Sequence, residues 1–325
     1  MISNLQILRA FAALNVVFGH IIGNAEYYNY DTSFSFTLAG WASSGVDIFF
    51  VISGFVMLFT QLEHKRSVTD FITSRIIRIV PIYWLITTII ILTKLFIPNS
   101  FRTMVITAKK TLASYTFLSG AIGDDYPIVG VGWTLEWEML FYLVFGLSLW
   151  FRTWTASLAS VVFGLTAFAV STSNYIVMEF VFGLFAALAY KKFLVKPHFG
   201  IVMLSCGVIF LLVSISPFIR ETFENRVLLY GIPSLLIVYG VVTIEQFRSK
   251  FGELLGDASY CIYLLQMPLI PIFYKLVAKL DLSLNNDLIA VFCLLFTALG
   301  GIVMHLIIEK PLTRFLKCSI IRWHL

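Results

Sequence analysis

Residues 155–172 and 288–308 contain no Asp, Glu, Lys or Arg, and similar apolar blocks recur along the whole sequence. A water-facing helix carries apolar residues on one stripe only, so blocks that are apolar all round must be buried in protein or in lipid. Charged residues make up 13% of the 325 residues and hydrophobic ones 59%. Soluble domains carry roughly 25% charge, so this chain has too little to cover a water-exposed surface of its size. Lipid is therefore the expected solvent. In lipid every backbone polar group must be bonded internally, and blocks this long favour helices over short alternating barrel strands. The expected fold class is all-α and polytopic.

Blocks near 5–23, 39–60, 80–97, 133–151, 155–172, 175–190, 199–217, 227–244, 258–277 and 288–308 read as spans. This gives about ten, each near the length that a hydrocarbon core of roughly 30 Å requires. Residues 104–121 are less apolar, include Lys109 and Lys110, and suit an interfacial or re-entrant helix. The first block lacks a basic leader and a small-residue cleavage site, so it should remain as a span. With the N-terminus inside, inner segments hold fourteen Lys and Arg and outer segments eight, which favours both termini in the cytoplasm. Residues 1–325 read as a single membrane domain, with membrane lipid as its surroundings. The net charge of +5 gives no sign of a nucleic-acid partner. The cysteines and histidines show no metal-ligand spacing, so no metal is expected, and Cys206, Cys261 and Cys293 read as small apolar residues.

Ionisable groups within spans are costly and mark candidate sites. Arg9 and His20 are eleven residues apart in the first span, close to three turns. They share one helix face, separated by roughly 16 Å along the axis. Arg9 alone also fits a snorkelling interface anchor, and His20 a helix–helix hydrogen bond. Imidazole, with an ordinary pKa of about 6.5, suits proton transfer at neutral pH. Asp47 reads as an acid at the membrane edge, and Ser53-Gly54 as a small pair that permits close approach of a helix or ligand. Arg75 and Arg78 are neighbours on a helix, placed for phosphate binding or for ordinary positive-inside anchoring. Glu136 and Glu138 point in different directions, and the deeper Glu138 is the better candidate for a buried acid. Glu179 is a further intramembrane acid without a sequence context.

Taken in order, these motifs resemble the acyltransferase-3 family of integral membrane acyltransferases. Arg9 and His20 match its Arg-x10-His pattern, Phe49 to Gly54 its FFxxSG element, and Arg75 and Arg78 its RxxR element. Trp133-Thr134-Leu135, Glu138 and Phe141-Tyr142 match its WSLxxExxFY element, with Thr134 in place of Ser. Ser259 to Leu264 and Glu309-Lys310-Pro311 fit its last elements. Gln266 stands where many relatives carry a histidine, and if that position places the acceptor, the acceptor or its orientation would differ here. The wording is most similar to the exopolysaccharide O-acetyltransferase branch. Some relatives carry a fused SGNH domain, and none is expected in this chain, which would complete transfer alone or hand the acyl group to another protein.

The resemblance implies acyl-CoA, most naturally acetyl-CoA, as donor and a hydroxyl of a cell-surface or lipid-linked glycan as acceptor, in the cytoplasmic (inner) membrane. Polysaccharide-assembly proteins are further possible partners. Arg75 and Arg78, with Arg9, would hold the donor phosphates, and Ser53 and Gly54 would shape the channel. His20 would act as general base, and Glu138 would orient the imidazole or the acceptor. A transient acyl-His20 intermediate is the competing scheme. Two other classes stay open at this level. A transporter or flippase of glycan precursors would release no CoA, and a non-catalytic scaffold of an export complex would need neither His20 nor the Arg pair.

Overall fold

The computed structural model describes residues 2–28, 30, 39–98, 100, 104–123, 126–193, 196–216, 218–219, 225–281 and 284–323. Among these the apolar blocks are helical and there is no β-strand. The helices are α1 (Ser3–Tyr27), α2 (Ser44–Glu63), α3 (Val68–Phe96), α4 (Ala108–Thr116), α5 (Trp133–Ser148) and α6 (Trp154–Thr172). They continue as α7 (Met178–Lys192), α8 (Pro197–Val213), α9 (Ile232–Thr243), α10 (Lys250–Lys279), α11 (Asn286–Met304) and α12 (Lys310–Trp323). Single-turn π segments at Val227–Gly231 and His305–Glu309 lead into α9 and α12.

Local chemistry sets several of the starts. Ser67 accepts from the Asp70 N–H and donates to the Asp70 carboxylate, an N-cap that opens α3. Thr153, Ser249 and Asn285 cap α6, α10 and α11 in the same way. The segment expected to be interfacial contains α4, which Thr107 caps and whose Tyr115 carbonyl accepts from the Trp84 indole.

Six helical stretches are long and apolar enough to cross a membrane. They are Ser3–Tyr27, Ala39–Glu63, Val68–Phe96, Trp154–Thr172, Lys250–Lys279 and Asn286–Ser319. The other four expected spans appear as shorter helices: Trp133–Ser148, Met178–Lys192, Pro197–Val213 and Val227–Thr243. At 1.5 Å per residue, 17 residues reach about 25 Å, short of a core of roughly 30 Å. The bundle's exterior is strongly apolar. Phe163 on α6 is 76% exposed, and Phe210 on α8 and Leu299 on α11 also point outward. Such surfaces are tolerated where lipid replaces water. The chain is a multi-pass helical membrane protein.

The interior is organised around α1, whose Ala12, Ala13, Val17 and Ile21 are fully buried. It packs along α10, where Ala258, Ile262, Ile270 and Tyr274 join Ala13, Val17 and Ile21 in one cluster. The Tyr274 hydroxyl donates to the Ile21 carbonyl at 3.2 Å. Polar residues near the start of α1 tie it to the rest of the bundle. Asn4 donates to the carbonyls of Val241 and Glu245 and accepts from the Phe247 N–H.

Helices α2 and α7 cross at Gly54 and Gly183. A Cβ on Gly54 would lie 2.0 Å from the Phe180 carbonyl oxygen, and one on Gly183 would lie 2.1 Å from that of Val51. The expected small pair therefore divides its work: Gly54 lets two backbones touch, while Ser53 turns toward a cavity. Gly54→Val should cost at least about 1–3 kcal/mol, because neither backbone can yield to an inserted side chain. Thermal unfolding in detergent, against wild type, checks this, and an unchanged midpoint would refute the close crossing.

Candidate active site

A cavity of about 770 Å³, its open mouth included, lies among α1, α2, α3, α5 and α10. One wall is apolar, with Val46, Phe49, Phe50, Ile52, Val56 and Met57 from α2. The polar lining is Arg9, Ser53, Arg78, Thr134, Glu138, Tyr142, Ser259, Tyr260 and Tyr263. Four residues expected from the sequence to act together, Arg9, Ser53, Arg78 and Glu138, thus meet in one space, although they come from four helices.

Glu138 is the hub. Its carboxylate accepts from Ser53 Oγ at 2.9 Å and from the Tyr142 hydroxyl one turn further along α5. Two O–H donors offset part of the cost of holding a carboxylate away from bulk water. Glu136, two residues earlier, points away and accepts from the backbone N–H groups of Ser119 and Gly120 at 2.9 and 3.0 Å. The two acids diverge as helix geometry requires, and the deeper one reaches the cavity.

The arginines separate. Arg9 donates to Gln6 Oε1 at 3.3 Å, and Gln6 donates to Asp257 at 3.0 Å. Arg78 makes no hydrogen bond or ion pair among the described residues, so its guanidinium is an uncommitted cation facing the cavity. Arg75 is not a lining residue. Its guanidinium lies 5.9 Å from the Phe71 ring centroid and 5.8 Å from that of Tyr142, on which Glu138 relies. Arg75 and Arg78 therefore do not form one fork: one backs Tyr142 and the other enters the cavity. With Arg9 and Arg78 against Glu138 alone, the cavity carries an excess of positive charge and suits an anion.

His20 lies beyond the cavity lining, exposed on the far half of α1. Its Nδ1 is 3.0 Å from the Val16 carbonyl oxygen. A carbonyl can only accept, so the neutral ring carries its proton on Nδ1 and presents a lone pair on Nε2. The side chain beside the imidazole is Gln266. The hydrogen bonds of Glu138 go to Ser53 and Tyr142, so its expected contact with the imidazole is not made here. Which face of α5 meets α2 decides this, and no local pattern in the sequence encodes it.

Tyr263 stands on the α10 side of the cavity wall. It lines the cavity, stands edge-on to Phe49 at 6.2 Å, and shares a 2.8 Å hydrogen bond with Thr134. Gln266, one turn further along α10, donates to the Tyr263 carbonyl at 2.7 Å.

Two buried polar clusters escaped the sequence reading. Asp47, expected at the membrane edge, is fully buried and held bidentately by Arg226 at 3.1 and 2.6 Å. Glu179 lies against Asp47 and close to the Gly231 backbone, which supplies the context its sequence position lacked. Cys261, expected to be a plain apolar filler, donates to Glu309 at 3.1 Å, and the same carboxylate oxygen is 2.7 Å from His305 Nδ1. This cluster braces the π segment before α12 and gives the Glu309-Lys310-Pro311 element a structural role. The described residues contain no group of three His, Cys, Asp or Glu side chains able to hold a metal.

An acyltransferase domain profile of the acyltransferase-3 family matches residues 2–307. The chain is 33% identical over 295 residues to the exopolysaccharide production protein ExoZ of Rhizobium meliloti, covering 84% of this chain and 90% of that protein. No solved structure matches. The profile match over nearly the whole chain, together with this relative, places the protein in the acyltransferase-3 family.

Proposed function

We propose that this membrane acyltransferase moves an acetyl group from acetyl-CoA to a hydroxyl of a cell-surface or lipid-linked glycan, in the way that the name of its relative associates with exopolysaccharide. One observation carries the reading: Arg9 and the uncommitted Arg78 line one cavity, and His20 lies about three turns along α1 from Arg9. An elongated, multiply charged donor fits this layout, with phosphates at the guanidinium groups and the pantetheine arm running beside α1.

In this scheme Arg9 and Arg78 bind the donor, and Arg75 supports them by holding Tyr142. Glu138 anchors Ser53 and Tyr142 and offers its remaining acceptor capacity to an amide N–H of the donor arm. His20 Nε2 takes the proton of the acceptor hydroxyl, whose oxygen attacks the thioester carbonyl. The proposed topology has ten spans, with the four short helices crossing locally thinned or protein-lined regions, and both termini in the cytoplasm. Acetyl-CoA then enters from the cytoplasmic side of the inner membrane.

The test is CoA release from radiolabelled acetyl-CoA by purified protein in detergent, with and without a lipid-linked glycan fraction. Glycan-dependent release with label appearing in the glycan is the expected result. Failure to bind acetyl-CoA at all would overturn the reading in favour of a transporter.

A further inference from the structure

Arg9 lines the cavity without an acid in contact. Among the described residues it makes no ion pair, and its hydrogen bond goes to a neutral amide oxygen, Gln6 Oε1, at 3.3 Å. The acid stands one residue further back. Gln6 Nε2 donates to Asp257 Oδ1 at 3.0 Å, so a carboxylate is joined to the guanidinium through the amide. Gln6 is buried, and Asp257 forms the exposed end of the chain of three.

Backbone contact between α1 and α10 fixes this order. A Cβ on Gly256 would lie 2.2 Å from the Gln6 carbonyl oxygen, so the helices touch at this depth and bring the next residue, Asp257, to the Gln6 side chain. One turn earlier on both helices, Ser3 donates to Glu253 at 3.0 Å, so the two run in the same direction here.

The chemistry of the three groups sets the orientation of each. An ionised carboxylate only accepts, so Gln6 must turn its NH2 to Asp257 and its oxygen to Arg9. A guanidinium only donates, so it is drawn to that oxygen, whereas a reversed amide would set donor against donor. The interposed amide also matters to a ligand. A carboxylate in direct contact would pair with the guanidinium and compete with an anion for it. A neutral oxygen engages one N–H and leaves the charge and the other donors for the cavity.

We propose that Gln6 and Asp257 are positioning residues of the donor site: Asp257, through Gln6, holds the Arg9 guanidinium toward the phosphates of coenzyme A. This rests on the acyltransferase reading above.

The test is equilibrium binding of CoA to the purified protein in detergent, where positioning and simple charge predict opposite signs. Removing a negative charge near an anion site should strengthen binding, whereas loss of positioning weakens it. Asp257→Leu should weaken CoA binding roughly 3- to 10-fold, the size of one neutral hydrogen bond, and Gln6→Met should do the same. Asp257→Asn keeps an acceptor oxygen for Gln6 without the charge, and should bind CoA at least as tightly as wild type. In an Arg9→Met background, Asp257→Leu should cause no further loss, because its effect passes through Arg9. An Asp257→Leu variant that binds CoA as tightly as wild type, or more tightly, would overturn the relay. So would an Asp257→Asn variant as weak as Asp257→Leu, or an Asp257→Leu loss of the same size with and without Arg9. A wild type that does not bind CoA, or an Arg9→Met variant that binds it undiminished, would overturn the donor-site reading on which the relay rests.

Discussion

His20→Asn should lower the turnover of acetyl transfer by roughly 10²- to 10⁴-fold, the range general base catalysis supplies when a hydroxyl must be activated. Asparagine keeps a polar side chain of similar size but has no basic nitrogen to receive the acceptor proton. Because His20 lies outside the cavity lining, coenzyme A should bind the variant as it binds wild type. The measurement pairs glycan-dependent CoA release with equilibrium binding of CoA, and full turnover by the variant would remove His20 from the mechanism. Rapid mixing of the wild type with acetyl-CoA alone separates the two chemical schemes. Direct transfer gives no CoA without acceptor, whereas an acyl-His20 intermediate gives a stoichiometric burst.

Arg9→Met and Arg78→Met should each weaken CoA binding by roughly 10- to 100-fold, since a hydrogen bond to a charged group contributes about 1.5–3 kcal/mol. Arg78 should show the larger loss. It has no partner among the described residues, whereas Arg9 already spends a donor on Gln6. The losses should shrink at high salt, because screening weakens phosphate–guanidinium attraction in the wild type too. Arg75→Met should act more weakly, through the Tyr142 ring it covers rather than by direct contact with the donor. Isothermal titration with CoA across a salt series reads all three. Equal affinities for wild type and Arg78→Met would show that the phosphates bind elsewhere.

Much of this was legible in the residues. Arg9, Ser53, Arg78 and Glu138 stand out as polar groups in apolar surroundings, and the fold brings all four to one cavity. The preference for Glu138 over Glu136 follows from depth and helical geometry, and Glu136 indeed turns away to cap a loop. What stayed hidden depends on contacts between distant segments. Asp47, Glu179 and Arg226 come from three helical regions, and nothing local in any of them indicates the other two. Gln266 beside His20 arises from the register of α10 on α1, which the cluster around Ile21 and Tyr274 fixes. Span lengths were read from hydropathy, which does not register where α5, α7, α8 and α9 stop, so four expected spans proved shorter than a full crossing.

The sequence by itself determined that this chain is a helical membrane protein, because blocks so poor in charge can satisfy their backbone in lipid only as helices. It also marked the ionisable groups within the apolar blocks as candidates, because such a group is costly to hold in lipid. Only the tertiary structure decided how those groups are shared out. It placed Arg78 in the cavity and Arg75 behind Tyr142, Glu138 with Ser53 rather than with His20, and Gln266 against the imidazole. The rotation and depth of each helix are set by packing, such as the Gly54–Gly183 crossing, and packing is a property of pairs of helices that no single segment encodes.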